Sequence, residues 1–240
     1  MSAPDLSDDP SLKNAPSSDR KKLNENLDVL YRGRFSQREA IAKSKIWEVL
    51  CADFFQEFIP PDSVILDLAA GYCDFINHIQ GAKKYATDLN LDTPSFAKPE
   101  VTVFEVPSNN ISCLPDESVD VVFTSNFLEH LKSKEEILET FSEVHRILKT
   151  NGRFMILQPN IRYVGFQYWD FFDHHVPLTE KSLIEGLLIK KFKIEKVIPK
   201  FLPFTTKSKF PKHPLWVKLY LKIPLVWKIL GKQSFLLVRK

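Results

Sequence analysis

The chain has 240 residues, 44% of them hydrophobic, and a formal net charge of +3. That length suits one α/β domain with an additional segment, or two small domains, with enough apolar residues for a sizeable core. No run of about 18 uncharged apolar residues occurs, so no membrane-spanning helix is expected. The three cysteines are scattered and lack a CxxC pair, which argues against a disulfide framework or a zinc site and favours a reducing cytoplasm.

The predicted elements begin after an N-terminal tail. Residues 1–25 are rich in Ser, Pro, Asp and Lys and lack an apolar core segment, so we expect a disordered tail and not a secretory signal. Ser36 and Glu39 match a capping box, and apolar residues recur behind them at helical spacing, which predicts a helix near 37–58. Pro60 and Pro61 end it.

Strands and helices then alternate along the chain. The predicted strands are 63–68, 84–90, 101–106, 118–126, 153–159, 192–198 and 234–239. We expect a short helix carrying Phe75, Ile76 and Ile79, a helix behind a capping box at Ser133 and Glu136 that ends before Asn151, and a helix near 180–189. This alternation predicts an α/β fold, a doubly wound Rossmann-like sheet of seven mostly parallel strands with helices on both faces.

The first predicted strand runs into an unusual loop, "VILDLAAGYCDF" (64–75). Dinucleotide-binding loops need several glycines so that the backbone can approach a pyrophosphate. This loop has only Gly71, and Asp67 at the end of the strand would repel a phosphate and attract an ammonium or sulfonium group. S-adenosylmethionine has both cations and no phosphate. Asp88, which ends the second predicted strand, is suited to accept hydrogen bonds from both ribose hydroxyls.

Four motifs in this order resemble those of class I methyltransferases dependent on S-adenosylmethionine, in the type 11 group that includes the ubiquinone-biosynthesis enzymes. They are "VILDLAAGYCDF", "YATDLN", "ISCLPDESVDVVFTSNFLEHL" and "EVHRILKTNGRFMILQPN". The resemblance covers roughly residues 45–200 and implies an antiparallel last strand. The family usually has Gly at positions 69 and 73 and often Asp at position 110, where this chain has Ala69, Cys73 and Asn110.

The resemblance also implies which residues bind the cofactor. Those near the methionine part are Asp67, Ala69 and Gly71; Asp88 binds the ribose, Leu89 lies against the adenine, Asn110 and Ile111 meet the adenine edge, and Asn126 lies on the cofactor side after the fourth strand. Each also has a purely structural explanation. Asp67 could cap the following helix, and Gly71 and Asp88 could simply shape turns.

The acceptor chemistry points to two further segments. "SNFLEHL" places His130 beyond the fourth strand, where it could act as a general base or only shape the pocket. "YWDFFDHHVPLT" offers Asp173, His174 and His175 as a carboxylate–imidazole pair or as a loop anchor, with at most one of the two histidines facing the pocket. No metal site is expected.

Aromatic residues near these segments could wall the acceptor site or pack in the core. They are Tyr163, Tyr168, Trp169, Phe171 and Phe172. Tyr31 and Arg34 could belong to a lid.

The C-terminal quarter is strongly basic. From Lys190 to Lys240 the chain has 14 Lys or Arg and one acidic residue, Glu195, which suggests either an anionic partner or a solubilising surface. Within it, 203–232 is a basic helical insertion with apolar residues at helical spacing: Leu215, Trp216, Leu219, Tyr220 and Ile223. It could lie in a membrane interface, cap the acceptor pocket or form a dimer interface. Nothing beyond charge suggests nucleic-acid binding.

The sequence thus predicts a single methyltransferase domain over 26–240, with 26–60 as N-terminal helix or lid. We expect O-methylation of a small-molecule, sugar or lipid-linked acceptor, and the resemblance suggests polysaccharide biosynthesis. Two alternatives stay open: a quinone or lipid methyltransferase at the membrane surface, and a non-catalytic cofactor-binding partner protein. We expect a cytoplasmic location, with the inner membrane face as the alternative, and the oligomeric state is left open.

Overall fold

The computed structural model of the protein describes residues 37–204 and 213–240. The predicted tail, the lid residues Tyr31 and Arg34, the cap residue Ser36 and positions 205–212 of the insertion lie outside the described residues. The helices are α1 (Gln37–Asp53), α2 (Thr93–Phe96), α3 (Lys134–Ile147), α4 (Ile161–Val164), α5 (Glu180–Ile189), α6 (Pro214–Leu221) and α7 (Pro224–Leu230), with 3-10 turns at Phe55–Phe58, Leu128–His130 and Gly165–Asp170. None of the helices in the described part of the chain has the length and apolar character that crossing a bilayer requires.

The strands are β1 (Val64–Leu68), β2 (Lys83–Thr87), β3 (Val101–Phe104), β4 (Val119–Ser125), β5 (Leu148–Pro159), β6 (Lys193–Ile198) and β7 (Gln233–Arg239). They form one sheet in the order β3-β2-β1-β4-β5-β7-β6. Neighbours pair in parallel, except that β7 is antiparallel to both β5 and β6. The predicted fold class is confirmed. The strand order reverses between β1 and β4, and ligands bind at the carboxyl ends of the strands at such a point.

Each central strand supplies side chains alternately to two buried layers. In β5, Met155 and Leu157 lie in the layer that contains Trp47 of α1, whereas Phe154 and Ile156 lie in the layer that contains Phe141 of α3. Burying each such side chain contributes about 1.5–3 kcal/mol to the free energy of unfolding. With both faces covered by apolar layers, the carboxyl edge of the sheet remains the place for polar chemistry.

The segment after β1 differs from the prediction. We expected a short helix carrying Phe75, Ile76 and Ile79, but residues 71–78 form consecutive turns. The N–H of Ile76 donates to the Asp67 carboxylate at 3.3 Å, so it does not continue a helical ladder. Cys73 has φ of +57°, a left-handed conformation that interrupts a right-handed helix.

Two further boundaries differ from the prediction. α1 ends at Asp53 and a 3-10 turn covers Phe55–Phe58, where one helix to residue 58 was predicted. β5 begins at Leu148 and not at residue 153, because Leu148 pairs with Val119 before an irregularity and Arg153 then pairs with Val121. The Asn151 turn, with φ of +66°, therefore lies within β5.

The capping box predicted before α3 forms only in part. The Ser133 hydroxyl accepts from the N–H of Glu136 at 3.3 Å, as predicted. The Glu136 carboxylate, however, accepts from the N–H of Lys132 at 2.8 Å and not from that of the cap residue. Ser133 therefore caps the helix as predicted, while Glu136 binds the residue before the cap.

In the insertion, α6 buries one side of its circumference. Its buried residues are Val217, Tyr220 and Leu221, which join the apolar layer containing Trp47. Of the apolar row noted in the sequence, Leu215, Trp216, Leu219 and Ile223 are exposed, and only Tyr220 is buried. The segment is apolar around most of its circumference, so more than one row has helical spacing and spacing alone could not choose between them.

Candidate active site

The loop after β1 has left-handed backbone at three alternate positions. Ala69, Gly71 and Cys73 have φ of +59°, +52° and +57°. The left-handed region costs a residue with a Cβ roughly 1–2 kcal/mol. Ala69 and Cys73 stand where the resembling family has glycine, and they adopt the conformation that glycine would favour. The loop therefore keeps the shape of a glycine-rich ligand loop without most of the glycines.

Asp67 lies beneath this loop and is 3% exposed. Burial raises the pKa of its carboxyl group to about 8, the hydrogen bond from Ile76 opposes the rise, and the carboxylates of Asp88 and Asp74 add to it. A carboxyl group in this environment gains from a cationic ligand, since a positive charge nearby restores its ionised form. This environment suits the ammonium or sulfonium group that the sequence suggested.

Asp88 directly follows β2 and is tied to the loop after β1. Its Oδ2 accepts from the N–H of Gly71 at 2.7 Å, and its Oδ1 accepts from the N–H of Asn90 at 2.8 Å. Burial raises the pKa of Asp88, and the N–H donors of Asn90, Gly71 and Leu89 partly offset this. The neighbouring Leu89 side chain is 39% exposed, so an apolar surface and a carboxylate lie side by side at the end of β2.

The other predicted cofactor residues occupy different environments. Asn110 is exposed, whereas Ile111 is fully buried and its N–H donates to Glu143 at 2.8 Å. Asn126 is exposed, follows β4 and has φ of +50°. Asn126 thus lies at the same carboxyl edge as Asp67, while the Ile111 side chain belongs to the core. Contact of Asn110 and Ile111 with adenine stays a prediction.

On the acceptor side, the residues after β4 meet the loop after β5. His130 Nδ1 lies 3.0 Å from the Asp173 carbonyl oxygen and 3.2 Å from the Asp173 carboxylate. His174 is buried and His175 is exposed. The N–H of His175 donates to the carbonyl oxygen of Glu129 at 2.8 Å. Of the four predicted acceptor-side residues, the structure therefore brings His130, Asp173 and His174 together and leaves the His175 side chain outside.

Glu129 is the centre of this group, although it was not among the site residues predicted from the sequence. Its Oε1 lies 3.9 Å from His130 Nε2 and 4.0 Å from His174 Nε2, and its Oε2 accepts from Gln158 at 2.7 Å. The available signal was its position beside His130 in "LEHL". We use the name carboxylate–imidazole cluster for Glu129, His130, Asp173 and His174.

The environment of the cluster raises the pKa values of both His130 and Glu129. Burial lowers the pKa of His130, but the hydrogen bond to Asp173 and the charges of Glu129 and Asp173 outweigh it, so that the pKa lies above its usual value. Burial also raises the pKa of Glu129, with His130 and Gln158 opposing. Perturbed acids and bases of this kind are concentrated at functional sites.

The same cluster includes a possible metal-binding set. Among the described residues, the ligand atoms of Glu129, His130 and His174 are close enough to share one metal ion, since all lie within 4.8 Å of one another. Two imidazoles and a carboxylate can bind several divalent metals. No metal was expected from the sequence, because positions 129 and 174 are too far apart for their contact to show in residue spacing. The absence of a metal stays a prediction.

The aromatic loop after β5 is divided between buried and exposed side chains. Tyr168 is buried, its hydroxyl donates to the carbonyl oxygen of Val176, and Phe171 stacks on His174 with ring centroids 4.9 Å apart. Phe166, Trp169 and Phe172 are instead 94%, 51% and 94% exposed. Part of the loop therefore supports the cluster, and part presents aromatic surface to solvent.

Comparison with known proteins is consistent with this geometry. Residues 66–156 match a family model described as a methyltransferase domain. No curated protein matches the chain at a significant level.

Solved structures share the fold at low sequence identity. A methyltransferase from Archaeoglobus fulgidus, described as S-adenosylmethionine-dependent, is 19% identical with a TM-score of 0.58, and covers 81% of this chain and 94% of its own. A second from Mesorhizobium loti is 15% identical with a TM-score of 0.55, covering 77% of this chain and 94% of its own. The 4+2 cyclase SpnF is 15% identical with a TM-score of 0.58, and the match covers 87% of this chain and 83% of the cyclase chain.

The cyclase shows that this fold carries more than one reaction, so the fold does not fix the chemistry of a chain. The family match adds what the fold does not, since it spans β1 to β5, which bear the loop after β1 and Asp88. The resemblance read from the four motifs is confirmed: residues 66–156 match the methyltransferase domain model, and S-adenosylmethionine is the cofactor that this match supports.

Proposed function

We propose that the protein methylates a hydroxyl oxygen of a small-molecule, sugar or lipid-linked acceptor, and that His130 is the general base. The observation that carries the proposal is the orientation of this imidazole. Its Nδ1 faces Asp173 at 3.0–3.2 Å, so neutral His130 keeps a proton on Nδ1 and a lone pair on Nε2. Its side chain is 26% exposed, which leaves room for an acceptor.

The cofactor contributes the electrophile, and the chain supplies position and proton transfer. When bound, S-adenosylmethionine provides a methyl group whose bond to sulfur breaks as the acceptor oxygen takes it, which leaves S-adenosylhomocysteine. Asp67, Ala69 and Gly71 hold the methionine part, and Asp88 holds the ribose. The left-handed loop supports this assignment, because backbone without bulky side chains can approach a ligand there.

His130 receives the proton that the acceptor hydroxyl loses. The imidazolium that forms lies beside the carboxylates of Asp173 and Glu129, which stabilise its charge. Holding cofactor and acceptor in line contributes more than the base does, because methyl transfer depends chiefly on alignment. The exposed aromatics Phe166, Trp169 and Phe172 support an acceptor with a ring or sugar face on which they can stack.

The proposal is tested by following S-adenosylhomocysteine release with a panel of hydroxyl-bearing acceptors. His130→Gln should lower kcat about 10²–10⁴-fold and leave cofactor affinity unchanged. His145→Gln is the matched control, since His145 is a half-buried histidine of α3 whose ring meets that of Phe192 edge to face, and it should keep full activity. Equal rates for wild type and His130→Gln would show that His130 is not the general base.

The non-catalytic alternative gives a different result in the same assay. A cofactor-binding partner protein would bind S-adenosylhomocysteine and release no product with any acceptor. The sequence suggested this alternative because Ala69 and Cys73 replace glycines in the loop after β1. The loop takes its left-handed form with Ala69 and Cys73 in place, which supports a functional cofactor site.

A further inference from the structure

The outer side of the α6–α7 segment is a solvent-exposed apolar surface. Six large side chains define what we call the α6–α7 surface: Leu215 (65% exposed), Trp216 (49%), Leu219 (45%), Leu225 (67%), Ile229 (74%) and Leu230 (41%). Val217, Tyr220 and Leu221 on the inner side are buried, which anchors the segment on the domain. Six large exposed apolar side chains on two consecutive short helices exceed the scattered single residues that are normal on a soluble monomer, and such a concentration marks interaction sites.

The positive charge on these helices favours an anionic partner. Lys218, Lys222 and Lys228 lie on or between α6 and α7 and are exposed, and the sequence has no acidic residue between Lys196 and Lys240. A second copy of the chain would place one basic surface against another, which is unfavourable. An anionic lipid surface offers both phosphate groups for the lysines and acyl chains for the leucines.

The surface also adjoins the acceptor side of the domain. Lys232, just beyond α7, donates from Nζ to Gln167 Oε1 at 2.7 Å, and Gln167 lies between the exposed Phe166 and Trp169. Lys200 Nζ donates to the carbonyl oxygen of Lys228 at 3.0 Å and lies 4.6 Å from the Tyr163 ring centroid. These contacts join the α6–α7 segment to the aromatic loop after β5.

We propose that the α6–α7 surface binds in the interface of an anionic lipid bilayer and holds the aromatic loop at that interface. With eight and seven residues, the two helices lie along the membrane plane, with lysines at the headgroups and apolar side chains among the acyl chains. The consequence for substrate rests on the proposed function: the acceptor is a lipid-linked molecule whose hydroxyl group reaches the cluster from the membrane side.

Liposome flotation of the full chain tests the membrane part without any need for turnover. Wild type should float with vesicles of phosphatidylcholine and phosphatidylglycerol, should not float with phosphatidylcholine alone, and should lose binding in high salt because the lysine attraction is screened. Absence of flotation with anionic vesicles overturns the proposal.

Two variants separate the apolar and the basic contributions. The double variant Leu225→Ser/Ile229→Ser and the double variant Lys222→Glu/Lys228→Glu should each weaken vesicle binding at least tenfold. We avoid Lys218, because its Nζ lies 3.6 Å from Asp53 and its reversal would disturb α1. The control is Leu188→Ser/Ile189→Ser on α5, where the side chains are 55% and 64% exposed, and vesicle binding should be unchanged. An equal loss in this control would contradict the proposal.

Retained binding of S-adenosylhomocysteine in all variants shows that they are folded. If the surface instead served a second copy, wild type would elute as a dimer without lipid and Leu225→Ser/Ile229→Ser as a monomer, which would overturn the membrane assignment. Flotation with no methyl transfer to any acceptor would leave the membrane site standing and refute the proposed function alone.

Discussion

Asp88 Oδ2 accepts a hydrogen bond from the N–H of Gly71 at 2.7 Å, so the carboxylate after β2 is tied to the loop after β1. One side chain thereby connects the two segments that the motifs assign to the cofactor. The bond also fixes the orientation of the carboxylate, whose second oxygen accepts from Asn90. A ribose that bonds to Asp88 would therefore meet a carboxylate already held in place.

Removing this carboxylate should weaken cofactor binding strongly. Asp88→Ala loses both the ribose acceptor and the bond to Gly71. At about 1.5–3 kcal/mol per hydrogen bond to a charged group, the Kd for S-adenosylhomocysteine should rise about 100-fold. Asp92→Ala is the control, since Asp92 is an exposed acid on the same segment whose side chain makes no capping bond. Calorimetry that gives equal Kd values for wild type and Asp88→Ala would contradict this role.

Because Ala69 has left-handed backbone, replacing it with glycine should stabilise the protein. Ala69→Gly relieves a strained conformation at φ of +59° and should raise the free energy of unfolding by about 1 kcal/mol. Ala70→Gly is the matched control, because Ala70 is outside the left-handed region and should lose about 0.5–1 kcal/mol through added freedom of the unfolded chain. Urea denaturation measures both. Shifts of the same sign would show that the strain at residue 69 is absent.

The raised pKa of Asp67 predicts a pH-dependent affinity. With a pKa of about 8, dominated by burial, Asp67 is largely protonated at pH 7, and a cationic ligand binds best to the ionised form. S-adenosylhomocysteine, which keeps the ammonium group, should therefore bind more tightly as pH rises from 6 to 8, by up to about tenfold per pH unit, with proton release near pH 7. Calorimetry in buffers of different ionisation enthalpy measures that release. Asp67→Asn should abolish it; release unchanged in this variant would assign the proton to another group.

Two histidines should titrate on opposite sides of the usual value. His130 has a raised pKa through Asp173 and Glu129, against the effect of burial, whereas burial and the charges of Lys240 and Lys191 lower the pKa of His145. Nuclear magnetic resonance titration should show this order without any acceptor. Asp173→Asn should lower the pKa of His130 and leave that of His145 unchanged. The opposite order would mean that the carboxylate–imidazole cluster does not form in solution.

Much of the fold could be predicted from the sequence, because apolar periodicity reports which faces are buried. The strands β1 to β7 lie where the patterns predicted them, apart from their ends. The helix predicted after β1 is absent because Asp67 takes the N–H of Ile76, a contact that no spacing rule contains. The sequence left open which side of α6 packs on the domain, because several of its rows are apolar.

The candidate site was predictable only where its residues lie in continuous motifs. Asp67 and Asp88 end two neighbouring strands, so the parallel sheet itself predicts that they lie at one edge. Glu129 and His174 come together through the loop after β5, with 44 residues between their positions in the chain. Such a contact depends on tertiary packing, and local sequence carries no signal for it.

The most direct test of the account is a comparison of ligands by calorimetry with the wild-type chain at pH 8. The account predicts that S-adenosylhomocysteine binds at one site per chain and that ATP does not compete for it, because the buried carboxyl groups at this loop favour a cationic nucleoside over a phosphorylated one. Tight binding of ATP at the same site, with none of S-adenosylhomocysteine, would contradict it.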